Sequence, residues 1–178
     1  MKTYIALLRG INVSGQKLIK MADLRVSLEK AGFKGAKTYI QSGNIILQSA
    51  EEDPKVIEEQ VKSLILKDFG FDVPTFVTTA EYLEDTVKNN PFPEAEMKKI
   101  YVSLLDEKPE QERVDALNAA DFSPEEFVID DMRVYLFAAL GAAKSKLSNN
   151  YFESKLKVKA TSRNWNTINK LIALASQP

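Results

Sequence analysis

Two hydrophobic periodicities take turns along this chain, and their order restricts the fold more than any single residue does. Residues 3–8 form a short apolar run that reads as a strand, and residues 9–20 form a polar, glycine-containing loop. Met21, Leu24 and Leu28, with Ala22, Val26 and Ala31, then make a helical stripe that Gly32 ends. Residues 37–41 and 44–48 are β-rich and flank Ser42-Gly43, the pattern of two strands joined by a tight turn. Asp53 stands before Pro54 as an N-cap before a first-turn proline. Val56, Ile57, Val61, Leu64, Ile65 and Phe69 carry that helix to Gly70. Residues 73–78 supply one more strand. Strand, helix, strand, strand, helix, strand is the ferredoxin-like order.

The second half is expected to repeat it. Residues 79–89 read as a helix with Thr79 as its cap, broken by Asn90-Pro91-Phe92-Pro93. Residues 99–105 read as a strand, 109–119 as a helix, and 126–129 with 132–138 as a hairpin around Asp130-Asp131. A helix at 142–147 or 151–156 follows. The last helix, 164–175, has Trp165, Ile168, Leu171, Ile172 and Ala175 on one stripe. The fold class predicted is α+β, two ferredoxin-like (βαββαβ-type) halves packed as one compact body. Its parts are an N-terminal half over 1–78, a helical connector over 79–97, and a C-terminal half over 98–178 that ends in a helix. A chain of 178 residues is long enough to bury a sizeable core.

Composition narrows the chemistry. The chain contains no cysteine and no histidine, which excludes disulfides, thiolate nucleophiles, Cys/His metal sites, imidazole acid-base chemistry and a Ser-His-Asp triad. Carboxylate, lysine, tyrosine, serine and backbone chemistry remain. The acidic runs Glu51-Glu52-Asp53, Asp106-Glu107 and Asp130-Asp131 lack the spacing of a cation loop, so no metal is predicted. No cofactor and no reaction are assigned.

Charge is unevenly spread. Residues 81–131 hold 5 basic and 15 acidic side chains, and residues 132–178 hold 8 and 1. The basic tail either attracts an anion or pairs with the acidic middle. The N-terminal apolar run is interrupted by Arg9-Gly10 short of a signal-peptide core, and the apolar stretch 134–143 is broken by Gly141. A cytoplasmic protein without a membrane partner is the expectation.

Three polar segments stand apart from the scaffold. The first runs from Arg9 to Lys17; Gly10 and Gly15 allow close backbone approach, and Arg9, Lys17 and Lys20 are three cations with no acid between them. It lacks the Lys-Ser/Thr pair of a Walker loop. The second is Tyr39-Ile40-Gln41-Ser42-Gly43-Asn44, which a turn alone also explains. The third, residues 160–167, enters the last helix. Thr161 or Ser162 can cap it, and Arg163, Asn164 and Trp165 cluster at its positive end. Trp165 also falls on the apolar stripe, which favours a place in the core.

The strings LLRGINVSG, TYIQSGNIIL and ATSRNWNTINKL, with KSKL at 144–147, resemble the bacterial domain-of-unknown-function family 1697. Ser14 departs from the glycine expected in the first block. The resemblance implies a small cytosolic α+β protein of two ferredoxin-like halves and no particular activity. Its matching residues are Arg9, Gly10, Asn12, Gly15, Tyr39, Gln41, Ser42, Gly43, Asn44, Lys144, Lys146, Arg163, Asn164, Trp165 and Thr167.

Strand-end loops gather at one edge of a sheet, so the leading expectation is a binding module. Its pocket is formed by the 9–17, 41–44 and 163–167 segments and takes an anionic small ligand, a nucleotide or phosphorylated metabolite. Arg9 and Arg163 clamp the charge, Asn12, Asn44 and Asn164 fix orientation, and Lys17, Gln41 and Ser42 complete the set of ligand-binding residues. Three alternatives stand beside it. One is RNA binding through the basic C-terminal block. Another is an enzyme using Lys17, Tyr39 or a carboxylate as acid or base. In the last, the segments form an oligomer interface. The oligomeric state is left open.

Overall fold

A computed structural model describes residues 1–177. The chain divides into two units, Met1–Glu84 with the residues from Lys170 onward, and Asp85–Asn169. Among the described residues no helix is long and apolar enough to cross a membrane.

In the first unit the elements are β1 (Lys2–Leu8), α1 (Met21–Lys30), β2 (Lys34–Tyr39), β3 (Asn44–Ser49), α2 (Pro54–Phe69) and β4 (Thr75–Thr78). Their sheet has the order β2-β3-β1-β4, all neighbours antiparallel, which is the ferredoxin-like topology. Alternation along β1 aims Tyr4, Ala6 and Leu8 at one buried cluster. Met21, Leu24 and Leu28 of α1 and Ile57, Val61 and Ile65 of α2 close the same cluster from the helix side. The 3.6-residue stripe read from sequence is therefore the face each helix buries. α2 is bounded as its sequence dictates. The Asp53 carboxylate accepts from the Lys55 amide at 2.9 Å, Pro54 sits in the first turn, and Gly70 takes the left-handed conformation that ends it. Glu51 turns back on the Glu52 and Asp53 amides, so the acidic run 51–53 is a helix entrance.

The second unit repeats the topology. α3 (Ala80–Lys88), which crosses from the first unit at Glu84, leads to β5 (Ile100–Leu105), α4 (Gln111–Asn118), the hairpin β6 (Glu126–Asp130) and β7 (Arg133–Phe137), α5 (Asn149–Leu156), β8 (Ala160–Asn164) and α6 (Trp165–Ala175), which passes back to the first unit at Lys170. The sheet order is β6-β7-β5-β8, again antiparallel throughout. Val114 and Leu117 of α4 and Phe152 and Leu156 of α5 pack with Val134 and Leu136 of β7, flanked by Phe122, Phe127 and Tyr151 in edge-to-face contacts. Before the last helix, the segment 151–156 is helical and α5 begins two residues earlier, at Asn149, while residues 142–147 run as turns.

One element was absent from the sequence reading. Residues 160–164 are strand β8, paired with β5 from Tyr101↔Asn164 to Leu105↔Ala160. Thr161 and Ser162 are thus strand residues and do not cap α6; Asn164 does, its Oδ1 accepting from the Thr167 amide at 2.8 Å. The segment Ala-Thr-Ser-Arg-Asn is short and mostly polar because β8 is the edge of its sheet, so it shows no apolar alternation. Trp165 is buried, as its place on the stripe requires.

Candidate functional site

In the first unit the loop after β1 and the turn between β2 and β3 are laced into one body. The Leu8 amide donates to the Gly43 carbonyl at 2.8 Å, and the Arg9 amide to the Pro74 carbonyl at 2.9 Å. Asn12, at φ 53°, donates through Nδ2 to the Ile19 carbonyl (3.0 Å) and the Gln41 carbonyl (2.8 Å), while its Oδ1 accepts from the Ile19 amide (2.8 Å). Ile11 and Ile19 are buried beneath the loop, and Lys17 Nζ donates to the Asp72 carbonyl at 2.6 Å. Asn44 is fully buried at the start of β3 and donates to the Tyr39 carbonyl (3.1 Å) and the Ser42 hydroxyl (2.9 Å). At Gly43, φ is +80°, and a Cβ would fall 2.6 Å from Leu8 Cβ and 3.0 Å from Ile11 Cδ1. Only glycine fits this crossing.

Two of the three polar segments therefore meet, and the asparagines in them bond to the chain itself. Beside them opens a cleft of about 430 Å³ lined by Lys20, Met21, Ala22, Arg25, Thr38, Ile40 and Gln41. The laced loop delivers Lys20 to the start of α1; Arg25, one turn on, shares its side with Met21 and Ala22. Thr38, near the end of β2, and Ile40, the first residue of the turn that follows, line the cleft together. Arg25 Nη1 donates to the Thr38 hydroxyl, which holds the guanidinium against the cleft wall. Lys20 is exposed and forms no ion pair among the described residues, and no carboxylate lines the space. The result is an open recess with two cations, a hydroxyl, the Gln41 amide and an apolar edge of Met21 and Ile40.

Sequence reasoning reached Gln41, the charge on Lys20 and the segment that contains Ile40, but gave no role to Arg25, Thr38 or Ile40. Arg25 was signalled by periodicity, four residues beyond Met21 on a helix; Thr38 and Ile40 carried no such signal, because β2 ends at Tyr39 and the backbone turns left-handed at Ile40.

Arg163 and Asn164 belong to the second unit. Arg163, opposite Val102 in β8, donates through Nη1 to the Ser162 carbonyl (2.8 Å) and the Thr161 hydroxyl (3.1 Å). Burial pulls its pKa down to about 10, so it stays charged at neutral pH. Ser162 contacts the Ser103 hydroxyl and donates to Asn149 Oδ1 at 2.8 Å. This unit has its own cleft of about 380 Å³ between α4 and α5, where Arg113 and Lys155 face Glu110 and Glu112. Arg113 is already paired with Glu110 at 2.8 Å, so that cleft has no net positive field to match the first.

Comparison with known proteins bears on fold and family. A family model described as "Protein of unknown function (DUF1697)" matches residues 1–135, which includes the first two polar segments and stops short of 144–147 and 160–167. A solved structure, that of the conserved bacterial protein SP0830 from Streptococcus pneumoniae, is 22% identical with a TM-score of 0.74. The match covers 99% of each chain. At that identity the likeness speaks for the fold alone. No curated protein matches the sequence.

Proposed function

The chain belongs to the DUF1697 family of proteins of unknown function, and we propose that it binds a small anionic molecule in the cleft beside the 9–20 loop. The observation that carries this reading is the pair of cations, Lys20 and Arg25, lining a recess without a carboxylate. Unopposed positive charge in a concave site concentrates anions, and a guanidinium held in place by Thr38 loses little freedom on binding one. Gln41 offers both a donor and an acceptor at the rim. Asn12 and Asn44 support the reading indirectly, since their hydrogen bonds fix the backbone from which Gln41 projects. A volume of about 430 Å³ is within the usual range for small-molecule sites, about 300–1,000 Å³.

The test is a thermal-shift and calorimetric titration with inorganic phosphate and pyrophosphate at low ionic strength, on the natural chain and on Lys20→Ala and Arg25→Met. Methionine keeps the aliphatic packing of Arg25 and removes its charge. A ligand at a hundredfold its Kd adds about 2.7 kcal/mol of stability, about 5–10 °C for a chain of this length. Binding by the natural chain that both substitutions weaken, and that Arg113→Met leaves intact, is the expected outcome. No shift with either anion, or a shift indifferent to Lys20 and Arg25, overturns the proposal.

A further inference from the structure

Among the residues around the cleft, Ile40 is the one whose presence the fold does not explain. Its φ is 51°, in the left-handed region that a β-branched side chain rarely enters, and its side chain is 51% exposed. The β2–β3 connection, residues 40–43, needs a left-handed residue at this position. Asparagine or glycine would meet that need without strain. Burial does not repay an isoleucine here, because half of it faces water. The 9–17 loop also holds Asn12, Ser14 and Lys17 at positive φ, but Ile40 alone of the four lines the cleft. At the other three, a short polar side chain or a backbone tie accounts for the conformation: Asn12 is bonded through its carboxamide, Lys17 through its ammonium and carbonyl, and Ser14 lies within the turn closed by the Gln16–Val13 bond. Ile40 has an apolar side chain and lines the cleft next to Gln41.

We infer that Ile40 is a specificity-determining contact, and that the cleft takes an anion joined to an apolar body rather than a bare anion. This rests on the anion-binding reading of the same cleft. The anionic group faces Lys20 and Arg25, and the body lies on the edge formed by Met21 and Ile40. Organic phosphates with an aromatic or aliphatic portion have this chemistry. Strain kept at an exposed position, where a relaxed residue is available, marks a side chain retained for contact with something outside the chain.

Phenyl phosphate and inorganic phosphate share a head group and differ in the apolar body, which makes them the probes. Both are titrated by calorimetry into the natural chain, Ile40→Asn and Ile40→Gly. The natural chain is expected to bind phenyl phosphate about tenfold more tightly than phosphate, the worth of one partly buried apolar contact. In both variants that ratio falls to about one while phosphate affinity is kept, and Tm rises by about 2–4 °C as the strain is relieved. Equal affinity for the two probes in the natural chain, or a preference that survives both substitutions, overturns the role of Ile40 and leaves the anion site standing. Binding of neither probe overturns the anion reading itself. Variants that melt lower than the natural chain show Ile40 to be a packing residue and overturn the inference as well.

Discussion

The Asn12 carboxamide donates to the Gln41 carbonyl at 2.8 Å across 29 positions of sequence, joining the loop after β1 to the turn between β2 and β3. With its two bonds to Ile19, one side chain sets the relative position of two segments that border the cleft. Asn12 also needs a left-handed backbone, so two substitutions are required to isolate the side chain. Asn12→Gly keeps the conformation and removes the bonds. It is expected to cost about 1–3 kcal/mol in urea unfolding, and Asn12→Ala to cost more because alanine is strained there. Faster amide exchange at Ile19, whose N–H loses its acceptor, is the local readout.

Gly43 makes a sharper prediction. A methyl group there would overlap Leu8 Cβ at 2.6 Å, and Leu8 is a fully buried residue of the central strand β1 that cannot yield. Gly43→Ala combines that overlap with the cost of a positive φ. The expected destabilisation is about 2–5 kcal/mol, from overpacking and backbone strain together. A loss below about 1 kcal/mol in denaturant unfolding contradicts so close a crossing of Gly43 over Leu8.

The Gly43 crossing and the Asn12 bonds were unequally legible in the sequence. Gly43 announced a turn, and the apolar run of β1 and the β-rich residues of β3 announced the strands it serves, because both are local patterns. The Asp53-Pro54 start and Gly70 stop of α2 were readable for the same reason. β8 was not, since an edge strand of small polar residues carries no period-two signal and is defined by its pairing with β5, some 60 residues away. Among the site residues, sequence indicated which segments were unusual and topology suggested that strand-end loops gather. It did not reveal that Asn12 and Asn44 bond inward, or that Arg25 and Thr38 form the cleft wall, because those facts depend on which backbone carbonyl or hydroxyl lies opposite.

Acid sensitivity follows from the second unit. Arg133, only 9% exposed, pairs with Asp85 at 2.8 Å and with Asp130 at 3.3 Å. The hydrogen bond from Arg133 is the largest cause holding Asp85 below its ordinary value of 3.8, with the Arg133 charge and an Asn89 hydrogen bond adding to it. A carboxylate with a depressed folded pKa contributes stability that is complete above the unfolded value. That contribution disappears as pH falls through the folded one. Asp85→Asn is therefore expected to lower stability at neutral pH and to flatten the acid limb of the stability profile, followed by urea unfolding from about pH 5 to about pH 2. An unchanged acid limb in the variant refutes the coupling.

The capping of α6 by Asn164 separates two ways of folding residues 160–167. If Thr161 or Ser162 opened the helix, Asn164 would sit in its first turn and its truncation would matter little. With residues 160–164 in β8, Asn164 is the last strand residue and its Oδ1 satisfies the Thr167 amide at 2.8 Å. Loss of a cap of this type costs about 1 kcal/mol. Asn164→Ala is expected to show that loss, with faster exchange at the Thr167 amide. Asn164→Asp, which keeps an acceptor and adds a charge favoured at a helix N-terminus, is expected to recover it. Exchange at Thr167 separates a capping role from general destabilisation. A cap defect raises that amide's rate in the alanine variant and restores it in the aspartate variant, while a global effect raises the rates across β5 and β8 together.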